Sequence, residues 1–162
     1  MSQYMQFPAE LEIETIVDDL GSVYVGEPIV TATAGDIDDR DAWTFGVSIR
    51  GAWNGEVVLS GSRAFAVQAA SDLLGIEPCD VSDEDARDGV SEVANVIGGN
   101  LKALISAAVG QTCRMTPPCA MSSGGSFPDR AERQRLWFSW RRHRFCVRVV
   151  DSSTSGGGGL AS

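Results

Sequence analysis

The sequence of 162 residues lacks the signatures of several common protein classes. Its one histidine, His143, lies between arginines, which argues against a Ser–His–Asp or Cys–His nucleophile. The four cysteines form no Cys-x-x-Cys pair, so a zinc site is not indicated, and no glycine-lysine phosphate-binding loop occurs. Cys113 and Cys146 lie in apolar stretches and are predicted to be free, buried thiols.

No hydrophobic run approaches the length of a membrane span. The first residues also lack the basic-then-apolar pattern of a signal peptide. We therefore expect a cytoplasmic protein without a membrane span. The hydrophobic content of 43% is typical of a globular domain, which we place at residues 1–151, followed by a disordered Gly/Ser-rich tail over 152–162.

The formal net charge of −9 is unevenly distributed. Residues 1–100 contain 19 acidic and 4 basic residues, whereas residues 101–162 contain 3 acidic and 9 basic residues. The acidic majority argues against a nucleic-acid partner. Arg141, Arg142 and Arg144 keep a structural or nucleic-acid-associated role open as an alternative, beside the simpler interpretation of a solvated turn.

Periodicity and capping residues predict the order α-β-β-β-α-α-β-β-β-β, with the helices on one side of a mixed sheet. The predicted helices cover 9–20, 62–74 and 82–108, and the predicted strands cover 28–34, 43–50, 56–60, 113–115, 119–122, 136–140 and 145–150. Ser62 and Ser82 are suited to cap the second and third helices, and Gly21 and Gly75 to end the first and second. Acidic and polar loops are expected at 36–41 and 124–134, and a turn at Asn54-Gly55.

The long helix over 82–108 has two faces when its residues are projected at about 100° each. The apolar stripe centred on Val90 is predicted to be buried: Val90, Ala94, Ile97, Leu101, Leu104, Ile105 and Ala108. Asp88, Glu92, Asn95 and Gly99 lie opposite, between about 140° and 200° from Val90. A solvated face explains the acids, but asparagine suits a helix interior poorly because its amide competes for backbone hydrogen bonds.

Gly98 and Gly99 interrupt this helix, each at a cost of about 1 kcal/mol relative to alanine. Gly98 projects to the border of the apolar stripe, which predicts that another element packs closely there. Gly99 projects on the side of Glu92 and Asn95. It either leaves room for the backbone of a partner or permits close packing of a neighbouring helix, and the sequence leaves both interpretations open.

The spacing Asp88-x3-Glu92-x2-Asn95-x22-Pro118 resembles the signature of the CheC/CheX/FliY phosphatases, which dephosphorylate the response regulator CheY. The resemblance covers about residues 43–124. It implies an α+β fold in which long helices pack on a mixed, roughly six-stranded sheet. The first helix contains no asparagine, so the single motif is most similar to that of CheX, for which a homodimer is implied.

The resemblance also implies roles for the residues of the motif. A carboxamide accepts from a water molecule and donates to a phosphoryl oxygen, which suits Asn95 to orient the attacking water. Glu92 would pair with the active-site lysine of the receiver domain, while Asp88 would contribute to docking or helix capping and Pro118 would shape the adjoining strand end.

The partner implied is therefore a phosphorylated, CheY-like receiver domain. The resemblance further implies that this receiver supplies Mg²⁺ and the phosphorylated aspartate, so the chain would need no metal or cofactor of its own. A different function remains open, because Glu92 would support docking without turnover. The alternative is a non-catalytic receiver-binding adaptor or sequestering module that uses the same face.

Overall fold

The computed structural model describes residues 10–34, 42–51, 53–121 and 132–152. Helices α1, α2 and α3 cover Glu10–Tyr24, Arg63–Leu74 and Asp83–Val109, and a 3-10 helix covers Pro78–Asp80. The strands are β1 (Val30–Thr31), β2 (Ala42–Arg50), β3 (Gly55–Ser62), β4 (Arg114–Met115), β5 (Cys119–Met121), β6 (Glu132–Trp140) and β7 (His143–Asp151). The predicted element order is confirmed. Outside the described residues lie the predicted loop 36–41, residues 124–131 of the loop predicted over 124–134, and nearly all of the tail. The prediction of a loop is wrong for residues 132–134, which belong to β6.

The seven strands form one sheet in the order β1-β6-β7-β3-β2-β4, with β5 also paired to β2. Every described pairing is antiparallel. The two-layer α+β prediction is confirmed, but the sheet is antiparallel and seven-stranded rather than mixed and roughly six-stranded. Strand β1 is also much shorter than the predicted 28–34.

Local capping signals correctly predict both ends of α2 and the start of α3. The Ser62 hydroxyl accepts from the Phe65 amide at 3.1 Å, and Gly75 ends α2 with a φ of 69°. At the start of α3, Ser82 and Asp85 form a reciprocal capping box with bonds of 3.0 and 3.1 Å. These bonds satisfy amides that the first helical turn leaves unpaired.

Two glycines play roles other than those predicted. Gly21 does not end α1, which continues to Tyr24. A Cβ on Gly21 would lie 2.7 Å from Ile29 Cγ1, so this glycine permits the chain after the helix to fold back closely. Gly55 is the first residue of β3 rather than part of a turn, and a Cβ there would clash with the Trp53 ring.

The core lies between the helices and one face of the sheet. Phe65 of α2 stacks on Phe145 with ring centroids 4.7 Å apart, and Trp140 packs edge-on against the same pair. Cys113 and Cys146 are buried, and none of the four cysteines is in a disulfide, in agreement with the buried thiols predicted for these two. None of the helices within the described residues is both long and apolar enough to cross a membrane.

The buried stripe of α3 is confirmed over most of its length. Val90, Ala94, Ile97, Leu101 and Ile105 are buried. The prediction is wrong for Leu104, which is 38% exposed, and for Ala108, which is also exposed. Both residues lie near the C-terminal end of α3, where the described elements pack against only part of the apolar stripe.

Candidate active site

Close packing of α3 on the sheet brings Asn95 next to the segment that follows β4. A Cβ on Gly98 would lie 2.4 Å from Val47 Cγ2 and 3.1 Å from Met115 Sδ. The absence of a side chain therefore lets the helix approach β2 and β4 at this level. The prediction that Gly98 permits close packing is confirmed. Its consequence is that Asn95, about one turn earlier, lies beside the chain that follows β4.

The opposite face of α3 is directed outward. Asp88 and Glu92 are exposed, and Asn95 and Gly99 are half-buried. A Cβ on Gly99 would meet no atom within 4 Å among the described residues. Packing of a neighbouring helix therefore does not account for Gly99 in the described part of the chain, and the interpretation that it leaves space for a partner remains a prediction.

A groove of about 340 Å³ lies between α3 and the segment that joins β4 to β5. Glu92 and Asn95 line one side, together with Ser91. The other side is lined by Met115, Thr116, Pro117 and Pro118. The fold thus brings three of the predicted site residues together (Glu92, Asn95 and Pro118), whereas Asp88 and Gly99 are on the same helix face but outside the groove lining.

The second side of the groove is an interrupted edge of the sheet. Strand β4 pairs with β2 at Ile49 and Arg50, and β5 pairs with β2 from Thr44 to Gly46. Between these pairings, the Thr116 amide donates to the Ser48 carbonyl at 2.9 Å and the Thr116 hydroxyl accepts from the Ser48 amide at 3.0 Å. Pro117 and Pro118 follow and have no amide hydrogen with which to continue the ladder.

Four lining residues were not predicted as part of the site: Ser91, Met115, Thr116 and Pro117. Ser91 precedes Asn95 by one helical turn, so the helix projection carries a signal for it. The other three precede Pro118 directly, and their position depends on how the edge pairs with β2. That pairing is a long-range contact, which spacing along the chain does not reveal.

The side-chain polar groups of Glu92 and Asn95 are available to a ligand. Within the described residues, neither the Glu92 carboxylate nor the side-chain amide of Asn95 forms a hydrogen bond or an ion pair. The acidic side chains Asp83, Glu84 and Asp88 are exposed on the N-terminal half of the same helix. This surface therefore favours a partner that presents positive charge.

Among these acids, Asp83 has a lowered pKa. The Arg63 guanidinium donates a hydrogen bond to Asp83 at 2.7 Å. That bond, together with the charge of Arg63, lowers the pKa of the Asp83 carboxyl below its ordinary value. Near the same end of α3, Arg87 lies over the Trp43 ring, 5.7 Å from its centroid. Arg63 and Arg87 thus each have a partner of their own.

The arginine-rich turn between β6 and β7 is more than a solvated turn. Arg141 bonds to the Asp72 carboxylate at 3.0 Å and to the Val25 carbonyl at 3.0 Å, and it also lies 3.5 Å from Glu27. The Trp140 indole donates to Asp72 at 2.7 Å. Arg141 therefore ties the turn to α2 and to the end of α1, and its charge is largely engaged inside the molecule.

No metal-binding cluster is present in the described part of the chain, where no three His, Cys, Asp or Glu side chains lie close enough together to hold an ion. The groove instead combines one acid, one amide and a proline wall. These groups can bind a cation, orient a water molecule and exclude part of the solvent.

The fold and the groove together define an α+β domain that presents an acid and an amide from one exposed helix beside a proline-walled edge of an antiparallel sheet. The family model described as "Chemotaxis phosphatase CheX" matches residues 44–138. The chain belongs to the CheX family, within the CheC/CheX/FliY group that its spacing predicts.

Solved structures share this fold. CheX from Desulfovibrio desulfuricans is 21% identical with a TM-score of 0.66, and the match covers 86% of this chain and 96% of that one. CheX from Vibrio vulnificus is 16% identical with a TM-score of 0.68, covering 88% and 96%. A CheX–CheY–BeF₃–Mg²⁺ complex from Borrelia burgdorferi matches at 23% identity and a TM-score of 0.66, covering 86% and 93%. No curated protein sequence matches the chain.

Proposed function

We propose that this protein is a phosphatase of chemotaxis that hydrolyses the aspartyl phosphate of a CheY-like receiver domain. The observation that carries the proposal is the shared groove of Glu92 and Asn95, in which both polar groups are open to a partner. The CheX family match supports the reaction. The B. burgdorferi complex of CheX with CheY supports the kind of partner.

Asn95 is assigned the chemical step. An aspartyl phosphate is already reactive, so catalysis consists mainly of holding a water molecule in line with the phosphorus. The Asn95 carbonyl accepts a hydrogen bond from this water, and its NH₂ group donates to a phosphoryl oxygen. Its half-buried position on the same side of the groove as Glu92, opposite the proline wall, limits the orientations that the side-chain amide can adopt.

Glu92 is assigned to docking. Its exposed carboxylate is suited to pair with the active-site lysine of the receiver domain, and this pair would fix how the two proteins align. Asp88, one turn earlier on the same face, would add to the attraction. The receiver would supply Mg²⁺ with its phosphorylated aspartate, so this chain would contribute positioning and no metal ligand. The homodimer implied by the resemblance to CheX is a further part of the proposal, which light scattering in solution tests.

The test measures phosphate release from a phosphorylated receiver domain at substoichiometric amounts of the protein. We expect the wild-type protein to accelerate release and Asn95→Ala to reduce the accelerated rate by about 100-fold or more, as is typical when one positioned polar group is removed from a site. Glu92→Ala should raise KM and lower kcat, because both docking and alignment depend on the carboxylate.

Asn100→Ala is the matched control. Asn100 is the same residue type on the same helix, but its amide donates to the Val96 carbonyl at 2.9 Å and does not line the groove. The Asn100→Ala protein should retain full activity. Full activity of both Asn95→Ala and Glu92→Ala would refute the mechanism. A wild-type protein that binds the receiver but leaves phosphate release unchanged or slower would instead support the adaptor function.

A further inference from the structure

The segment between β4 and β5 is held to β2 in an unusual way. In a regular antiparallel ladder, every second pair of opposed residues exchanges two amide-to-carbonyl hydrogen bonds. Here the Thr116 amide donates to the Ser48 carbonyl, but the Ser48 amide donates to the Thr116 hydroxyl instead of to a carbonyl. The side chain of Thr116 thus takes the place of one backbone acceptor of the ladder.

This substitution occurs where the wall of the groove begins. Thr116, Pro117 and Pro118 fill the gap between the two short strands, and all three line the groove opposite Asn95. The prolines have no amide hydrogen, so Thr116 is the one residue of the three that donates a backbone hydrogen bond to β2. Its hydroxyl group adds the second bond of this attachment.

We infer that Thr116 is a positioning residue of the candidate active site, whose hydroxyl group fixes the distance between the Pro117–Pro118 wall and Asn95. The inference rests on the proposed function for its kinetic consequence. The Thr116–Ser48 hydrogen bonds would set the width of the groove in the free protein as well, where turnover plays no part. Thr116 acts through the wall and is not assigned a contact with the phosphoryl group.

The kinetic test compares Thr116→Val with Thr116→Ser. Valine has nearly the shape of threonine but no acceptor, so the Ser48 amide loses its partner and the wall loses one of its two attachments. We expect kcat for receiver dephosphorylation to fall about 10-fold, because small misplacements of positioning groups are costly, while KM stays within about 2-fold because Glu92 still docks. Serine keeps the hydroxyl group and should restore kcat.

Thr44→Val is the matched control. Thr44 lies on the same strand as Ser48, and its hydroxyl group forms a hydrogen bond with Ser60 at 3.0 Å, away from the groove lining. Thr44→Val also removes one side-chain hydrogen bond from β2. It should lower thermal stability about as much as Thr116→Val does, without changing kcat. If Thr116→Val and Thr44→Val have the same kcat, or if Thr116→Val changes KM alone, the inference is wrong.

A second measurement does not depend on turnover. In a nitrogen-15 NMR spectrum of the free protein, Thr116→Val should shift the side-chain amide signals of Asn95, and Thr44→Val should leave them in place. Unchanged Asn95 signals in Thr116→Val would overturn the inference even if the wild type is active. An inactive wild type whose Asn95 signals respond to Thr116→Val would refute the proposed function while supporting the attachment.

Discussion

Gly99 provides a test in which stability and docking are expected to change in opposite directions. A Cβ at this position would meet no described atom within 4 Å, so alanine would displace nothing. Alanine in a helix interior is about 1 kcal/mol more favourable than glycine. Gly99→Ala should therefore raise the free energy of unfolding by about 1 kcal/mol, and Tm by roughly 2–4 °C for a domain of this size.

Gly98→Ala is the internal control for this calculation. Its Cβ would lie 2.4 Å from Val47 Cγ2, a branched side chain in the core that must move to make room. Overpacking of this kind costs roughly 1–3 kcal/mol. Because the gain in helix propensity is about 1 kcal/mol, the net effect should be between no change and a loss of about 2 kcal/mol.

The same methyl group should weaken the complex if the backbone of the receiver approaches Gly99. A steric penalty of about 1.4 kcal/mol in the complex corresponds to a 10-fold rise in Kd. We expect Gly99→Ala to raise KM for the phosphorylated receiver by up to about that factor, and kcat to change little because Asn95 is one turn away. Gly99→Leu should have a larger effect on KM.

Urea unfolding followed by circular dichroism gives the stability, and steady-state dephosphorylation at varied receiver concentration gives KM and kcat. A Gly99→Ala protein that is no more stable than wild type would refute the reasoning from open space. If stability rises but KM is unchanged even in Gly99→Leu, then Gly99 lies outside the docking surface.

Three further predictions concern the rest of the molecule. Asp72→Asn removes the charge that faces Arg141 and should cost about 1–3 kcal/mol in urea unfolding, whereas an unchanged midpoint would show that this cluster is not stabilising. The lowered pKa of Asp83 means that its pair with Arg63 stabilises the fold above the ordinary carboxyl pKa and that this contribution is lost as the pH falls through the folded-state pKa. An NMR titration of Arg63→Ala should show the pKa of Asp83 rising towards its ordinary value; no rise would contradict the assigned cause. Arg142 has a φ of 91°, so Arg142→Gly should raise Tm by relieving roughly 1 kcal/mol of backbone strain, and a lower Tm in calorimetry would indicate that the arginine side chain stabilises the turn.

Much of the fold follows from signals that are local in the sequence. Ser62, Gly75 and Ser82 bound helices through contacts within four residues, and those boundaries are confirmed. The apolar period of α3 correctly identifies its buried face, because side chains three and four residues apart share one side of a helix. For the same reason, the sequence predicts that Glu92 and Asn95 face outward together.

The features that the sequence did not predict depend on contacts between distant residues. Gly21 is typical of a helix end, yet Ile29 packs against it and the helix continues. Leu104 belongs to the apolar period of α3 but is exposed, because the described elements do not pack over this part of the helix. The proline wall required the pairing of Thr116 with Ser48, across 68 residues, which no periodic pattern encodes.

The two consecutive prolines also restrict how any protein can bind at this edge of the sheet. An edge strand with unpaired amides invites another chain to add a strand, which is a route both to recognition and to aggregation. At Pro117 and Pro118 the edge offers no such amides. A protein bound here must therefore be selected by its side chains and its angle of approach, and self-association by strand addition is blocked at the entrance to the groove.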